Sequence, residues 1–376
     1  MSIKKAVVAG HICLDITPVF PEDSGKTDIG ELLRPGRLIH VDRPDIHTGG
    51  AVANTGLAMK IMGADVRLFG KTGKDEFGMM VRSALDRYDA GADLIQDTGC
   101  ATSYSIVLSP PGVDRIFLHC PGANDTFCSA DIPDDIIKDA ALFHFGYPAL
   151  MKKMYQDNGK EMTEMFRHVS DMGIATSLDL AAADPDSEEG HADWEAILGY
   201  TLPYVDFFVP SFEELCFMLD RKHYEELIKK ADGEDITKYL DLDKDILPLA
   251  EKSLKLGAKA VLLKCGKPGM LLKTSGRMKE TGSRLGLNAS LWNDFSKFET
   301  SYKIDKLLSA TGAGDTSIAA FLTSILTGYG PEESVQNAAA AGALCCTAYD
   351  AVSGLEPLQL IRRRIESGWE KAFGDK

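Results

Sequence analysis

Chemistry concentrates in one short stretch of this chain, Ser309-Ala-Thr-Gly-Ala-Gly-Asp-Thr-Ser317. Beyond it Ile318, Phe321, Leu322, Ile325 and Leu326 recur at the spacing of a buried helical face, and Gly328 ends the run before Pro331 starts another helix. Thr311 to Asp315 therefore fall at a helix N-terminus, where the first N–H groups have no carbonyl partners. Gly312 and Gly314 let the backbone approach a ligand, and the free amides of Gly312, Ala313 and Gly314 with the helix dipole favour an anion. Asp315 sets a carboxylate at the mouth of that nest. An anion hole beside an acid suits a phosphate donor lying next to a hydroxyl that must lose its proton. A plain strand-to-helix turn, with Gly for geometry and Asp as a cap, is the alternative that this stretch alone leaves open.

The elements that must position it read as an α/β chain. Ala6 to Gly10 is a core strand, and Ile12 to Thr17 continues in extended form. Residues 20–36 are a polar surface excursion, and Leu38 to Ile46 a short strand pair. Gly49 opens a helix ended by Gly63; Val66 to Phe69 is a strand and Glu76 to Tyr88 a helix. Ser103–Leu108 and Arg115–His119, separated by Pro110-Pro-Gly112, form a hairpin. From Ala141 onward short apolar runs alternate with helical stretches, which argues a mostly parallel sheet covered on both faces, with ligands at the carboxyl ends of its strands. Residues 184–192 and 219–245 read as acidic surface insertions, and residues 275–305 as a long approach to the glycine turn. No internal repeat interrupts a single domain over residues 1–376.

The stretch TGAGD followed by an apolar helix resembles the second signature of the ribokinase-like (PfkB-type) carbohydrate kinases. Thr48-Gly-Gly-Ala-Val-Ala-Asn54, Leu57 to Gly63 and Gly73-Lys-Asp-Glu-Phe-Gly78 are similar to that family's first signature. Two separate matches in the right order are far more specific than either glycine cluster. The resemblance implies a three-layer fold with a small β-sheet lid, here from about 12–20, 36–48 and 100–121, often also the contact of a homodimer. It implies ATP and Mg2+, with Asp315 as catalytic base. Asp15, Gly49, Gly50 and Asn54 would hold the acceptor's hydroxyl groups; an aspartate accepts and an asparagine both donates and accepts, which together reads a diol. Asn124 is a further contact. Lys264-Cys-Gly266-Lys-Pro-Gly269 resembles the turn beside the nucleotide, with Lys264 either meeting donor phosphates or simply solvated. Thr311 and Ala341, within Ala338–Ala343, belong to the same nucleotide side. Glu214, in Ser211-Phe-Glu-Glu214, stands where the family has a glutamate near the magnesium-bound water shell; a first-turn helix acid is the alternative.

Two departures bear on specificity. Ser309 stands where an aspartate often helps to hold an activating potassium ion. Asp179 to Ala183 keeps the aspartate of a DxNxR motif of keto-acid kinases but has Ala181 and Ala183 where asparagine and arginine belong. The expected function is ATP-dependent phosphorylation of a small neutral sugar or polyol. A nucleoside kinase shares both signatures, and a non-catalytic sugar sensor is the reading from another class, opposed by the intact TGAGD turn. Gly63 to Thr72 only looks like a P-loop, since Asp65 stands where that motif needs glycine.

Composition agrees with an enzyme of small molecules. A net charge of −15 argues against nucleic acid and anionic membranes as partners, and 44% apolar residues suffice for a large core. Eight cysteines without metal spacing read as reduced thiols, hence a cytoplasmic setting. No apolar run reaches the ~18 residues of a membrane span.

Overall fold

The sequence Lys5–Gly10 is apolar almost throughout, and it forms β1 at the heart of the fold, five of its six residues buried. Both faces of β1 are covered, as a central parallel strand requires. Ala6 and Val8 enter one core, with the helices α1 (Ala51–Ile61), α3 (Ala313–Thr327) and α4 (Pro331–Cys345). Val7 and Ala9 enter the other, with Met162, Phe166, Ile197 and Leu215, the last on α2 (Phe212–Leu219). The same alternation recurs on β12 (Ala260–Lys264), where Ala260 and Leu262 face the first core and Val261 and Leu263 the second. The computed structural model describes residues 4–21, 30, 33–110 and 116–373. Parts of the 20–36 excursion, Pro111 and Gly112 of the hairpin turn, and Arg115 lie outside those residues.

In chain order the strands are β1, β2 (Cys13–Val19), β3 (Asp42–Gly49), β4 (Asp65–Phe69), β5 (Lys71–Gly73), β6 (Ile95–Asp97), β7 (Tyr104–Leu108) and β8 (Ile116–Cys120). They continue as β9 (Ala140–Gly146), β10 (Ala175–Leu178), β11 (Phe207–Phe208), β12 (Ala260–Lys264), β13 (Gly269–Thr274) and β14 (Ser296–Thr300). Eight form the main sheet in the order β14-β13-β12-β11-β10-β9-β1-β4. All neighbours pair in parallel except β13, which is antiparallel to both β12 and β14. A smaller sheet, β3-β2-β7-β8, rises from the carboxyl end of β1. There β2 pairs antiparallel with β3 and parallel with β7.

Two readings of the sequence change, and a third gains its structure. Residues 38–46 are not a strand pair: one strand runs Asp42–Gly49, in register with β2 so that Asp15 opposes His47. The long approach over 275–305 folds as helices Met278–Leu285 and Ala289–Trp292 followed by β14, with Trp292 buried in the core. The 219–245 segment carries helix Arg221–Ala231 and buries Ile236 and Thr237, so it is more than surface decoration. No helix of the described residues is long and apolar enough to cross a membrane.

Candidate active site

The carboxyl ends of five neighbouring strands deliver the polar groups. His11 follows β1, Tyr147 follows β9, Asp179 follows β10, Ser211 lies just beyond β11, and Lys264 ends β12. Against that edge comes the N-terminus of α3. Gly312, its cap, has φ 76°, a left-handed conformation, and a Cβ there would fall 2.3 Å from the Cβ of Ala351. Only glycine meets both demands. The Thr316 N–H bonds the Gly312 carbonyl at 2.9 Å, the first rung of the helix. The Ala313 N–H turns back instead to the Ala310 carbonyl at 3.2 Å. Ala313 is thus not the free amide that the sequence pattern implied, and the nest rests on Gly314 and its neighbours.

Asp315 points into the protein and is only 4% exposed. Three donors converge on its carboxylate: Asn54 Nδ2 at 3.0 Å from Oδ2, Thr55 Oγ1 at 3.3 Å from Oδ1, and the Tyr147 hydroxyl at 2.8 and 2.9 Å from the two oxygens. Burial nevertheless pushes the Asp315 carboxyl above the ordinary aspartate range, against Lys264 and these donors. A helix N-terminus favours the ionised carboxylate, but desolvation outweighs it here. Tyr147 holds its place at a cost, since its φ of 70° is left-handed in a residue with a bulky side chain. Its own hydroxyl is pushed well above the usual tyrosine value by burial and by Asp315.

Lys264 is neither free in solvent nor simply aimed at a ligand. Its Nζ lies 2.8 Å from Asp179 Oδ1, with both side chains nearly buried. It also borders the glycine turn, since a Cβ on Gly314 would stand 3.6 Å from Lys264 Cε and 3.8 Å from Nζ. Burial disfavours its charge, yet the carboxylates of Asp179, Glu214 and Asp315 together hold the ammonium above its ordinary value. Asp179 is raised to about 8, first by burial, with Glu214 and Asp315 adding to the negative field against the pull of Lys264. Lys264 is thus paired with Asp179 and sits in the field of Glu214 and Asp315.

Glu214 closes a capping box on α2: its Oε2 accepts the Ser211 N–H at 2.8 Å while Ser211 Oγ accepts the Glu214 N–H at 3.3 Å. The first-turn structural role is present, beside an electrostatic one. Among the described residues no group of three or more His, Cys, Asp or Glu could hold a metal ion.

On the other side of Asp315 the first signature assembles around α1. A Cβ on Gly49 would lie 2.1 Å from Asp15 Oδ2, and one on Gly50 2.6 Å from His11 Nδ1. Gly50 also has φ 87° as the cap of α1. Both glycines are thus needed for the approach of Asp15 and His11. Burial raises the Asp15 carboxyl, opposed by Cys13, Ser105, His47 and His119. Asn124 does not join this group. It is fully buried, its Oδ1 accepting the Ile12 N–H at 3.2 Å and its Nδ2 donating to the Ile12 carbonyl at 3.0 Å. It clamps the junction of β1 and β2 rather than offering its amide to an acceptor.

Beside α3 and α4 opens a cavity of about 740 Å³. Lys264, Gly266, Gly269 and Gly314 line it, together with Thr237 of the 219–245 segment. Gly269 permits a close backbone approach, a Cβ there falling 2.1 Å from the Glu299 carbonyl oxygen at φ 132°. On α4 it is Ala339, Gly342 and Ala343 that face the cavity, while Ala341 is fully buried in the core. The helical phase puts Ala341 on the wrong side. Thr311 is also not among the lining residues; its N–H bonds Ser309 Oγ at 3.1 Å.

Sequence reasoning missed Tyr147, Thr55 and His11, and it did not pair Asp179 with Lys264. The available signal was position: each of His11, Tyr147 and Asp179 is a polar residue at the carboxyl end of an apolar strand.

A buried carboxylate at a glycine-bordered helix start, bonded to Asn54 of the first signature and next in sequence to Gly314 of a large cavity, on a doubly covered parallel sheet, fits a ribokinase-like phosphotransferase. Residues 4–357 match the profile described as pfkB family carbohydrate kinase, so the chain belongs to that family and is a carbohydrate kinase. Fructokinase-1 of Oryza sativa subsp. japonica is 26% identical over 333 residues, covering 85% of this chain and 88% of that protein. A 5-dehydro-2-deoxygluconokinase of Clostridium beijerinckii is 22% identical over 336 residues, covering 88% and 86%. Among solved structures, Arabidopsis thaliana ribokinase complexed with ribose and ATP superposes with a TM-score of 0.72 at 19% identity, covering 96% of this chain and 98% of that one. Fructokinase with bound ATP from Xylella fastidiosa gives 0.70 at 17% identity, covering the same shares. At such identities the solved structures speak for the fold.

Proposed function

We propose that the protein transfers a phosphoryl group from ATP to a hydroxyl of a small uncharged sugar or polyol, with Asp315 as the base. One observation carries this reading. Asn54, from the acceptor signature, donates to Asp315, from the donor signature, at 3.0 Å. The two motifs thus meet at the carboxylate that must take the proton.

The donor would occupy the cavity of about 740 Å³, its phosphates reaching toward Gly314 and Lys264. A helix N-terminus and a buried ammonium stabilise the charge that spreads over the transferred group. The acceptor would lie against Asp15, Gly49 and Gly50, its reactive hydroxyl turned to Asp315. Tyr147 and Thr55 hold the Asp315 carboxylate in one orientation, and Asp315 removes the hydroxyl proton as the bond to phosphorus forms. A magnesium ion supplies neutralisation of phosphate charge when bound. The residues fit such an ion: Lys264 is paired with Asp179 and sits in the field of Glu214 and Asp315, and with no protein cage the ion keeps water ligands, as Mg2+ does. Glu214, through water, is the residue to hold it.

The test is a coupled ATP-consumption screen of neutral sugars, polyols, sugar acids, sugar phosphates and nucleosides. Turnover on a neutral sugar or polyol supports the reading, and efficient turnover restricted to nucleosides or anionic acceptors refutes it.

A further inference from the structure

His11 stands out among the buried polar side chains. It is 2% exposed, and neither Nδ1 nor Nε2 has a hydrogen-bond partner among the described residues. Thr300 and Thr323 each leave their single hydroxyl unpartnered, and His144 and Asn337 leave one atom while the other end bonds Ser177 and Ser324, so among the described residues His11 is the side chain with two such atoms. A buried polar group left without a partner is costly, so a side chain with two such atoms calls for a reason. An apolar residue would fill the same space without that penalty.

Its position supplies the reason. The His11 N–H donates to the Gly146 carbonyl at 3.2 Å and its carbonyl accepts from the Val52 N–H at 3.1 Å, which pins it between the end of β9 and the start of α1. Its ring abuts Gly50, lies 5.5 Å from the ring of His119 on β8, and 6.1 Å from that of Tyr147, the residue bonded to Asp315. It therefore occupies the seam between the smaller sheet and the catalytic carboxylate. Burial, with His119 adding to it, pushes the imidazole down to about 3, so one nitrogen donates and the other accepts.

We propose that His11 is a specificity-determining residue that reads hydroxyl groups of the acceptor, one ring nitrogen donating and the other accepting. The inference rests on the functional reading above. For an acceptor to reach the His11 ring, His119 on the edge strand β8 must give way, and the same side chain lies in the field of Asp15. The ligand class is an uncharged polyhydroxylated molecule with adjacent hydroxyls, because a neutral imidazole offers no charge to an anion and the carboxyl of Asp15, in the same signature, would repel one.

The experiment compares wild type with His11→Phe and His11→Gln, using the best neutral acceptor from the screen and its monodeoxy analogues. With His11→Phe, KM for the acceptor should rise ~10–100-fold while kcat stays within about threefold, the pattern of lost ground-state binding. Wild-type discrimination against one deoxy analogue should collapse, and His11→Gln should recover part of it. The thermal midpoint of His11→Phe should not fall, since an unpartnered polar pair is replaced by an apolar ring. Unchanged KM and unchanged discrimination would overturn the proposal. So would a KM rise that tracks a fall in thermal midpoint and spares the deoxy discrimination, which is a packing role. If His11→Phe does not fold, His11→Gln and His11→Asn decide by the same deoxy profile, a wild-type profile counting against the proposal. A wild type inactive on every neutral acceptor overturns the functional reading and this inference with it; an active wild type matched by its variants overturns only this inference.

Discussion

Replacing Asp315 by asparagine separates the two roles that the structure gives this residue. The carboxylate is fully enclosed, and burial raises its pKa despite Lys264, Asn54, Tyr147 and Thr55. Asparagine keeps the size and an acceptor oxygen, and the Thr55 and Tyr147 hydroxyls can rotate to meet its amide. What it cannot do is take a proton. Turnover should fall ~10²–10⁴-fold, about 3–5 kcal/mol of barrier, with acceptor KM roughly kept. Stability should move the other way. A carboxyl whose folded pKa lies above its unfolded value binds its proton more tightly when folded, so its contribution is unfavourable above the raised pKa. That contribution fades as pH falls through the raised value toward the ordinary one. Asp315→Asn removes it, so the variant should match or exceed wild type in thermal midpoint at neutral pH, and the gap should narrow in acid. Coupled assays and thermal scans across pH measure both. Near-full turnover would refute the assignment of the base; a variant destabilised most at neutral pH would refute the electrostatic account.

Lys264→Met should raise KM for ATP and push the Asp179 carboxyl further up, so its loss of stability in urea unfolding should be small at neutral pH and grow as pH rises above about 8. Adding Asp179→Asn should restore much of that stability but not the raised KM for ATP, and a single variant as stable as wild type above that pH would count against the pair. Activity should require magnesium yet change little when potassium is exchanged for a large organic cation, because Ser309 offers a neutral hydroxyl already accepting the Thr311 N–H at 3.1 Å; strong potassium activation would overturn this. A neutral sugar should have a higher kcat/KM than its acid or phosphate, since Ala183 stands where an arginine would meet an anion. The nearby cation Arg43 is exposed on β3, and Asp179 is committed to Lys264; an anionic preference abolished by Arg43→Ala would reverse that prediction.

What could be read from the sequence follows the physics of each signal. The two glycine signatures were legible because their demands are local. Gly312 and Gly50 need left-handed backbone at helix starts, and that need shows in residue type and spacing alone. The alternating cores of β1 and β12 were legible for a similar reason, as continuous apolar runs mark strands buried on both faces. Roles set by a partner far along the chain were not. Lys264 could be read as solvated or phosphate-facing because its carboxylate, Asp179, lies 85 residues away and meets it only across β11. Asn124 looked like a ligand group because the Ile12 amide and carbonyl that consume it lie 112 residues upstream. Ala341 failed at shorter range, since a composition of small residues does not give helical phase, and one residue's rotation decides between cavity and core. Tyr147 and His11 gave the weakest signal, single polar residues closing apolar strands. Yet that is where the carboxyl edge of a parallel sheet gathers its chemistry, so the ends of strands, more than the motifs between them, hold what remains to be tested in this kinase.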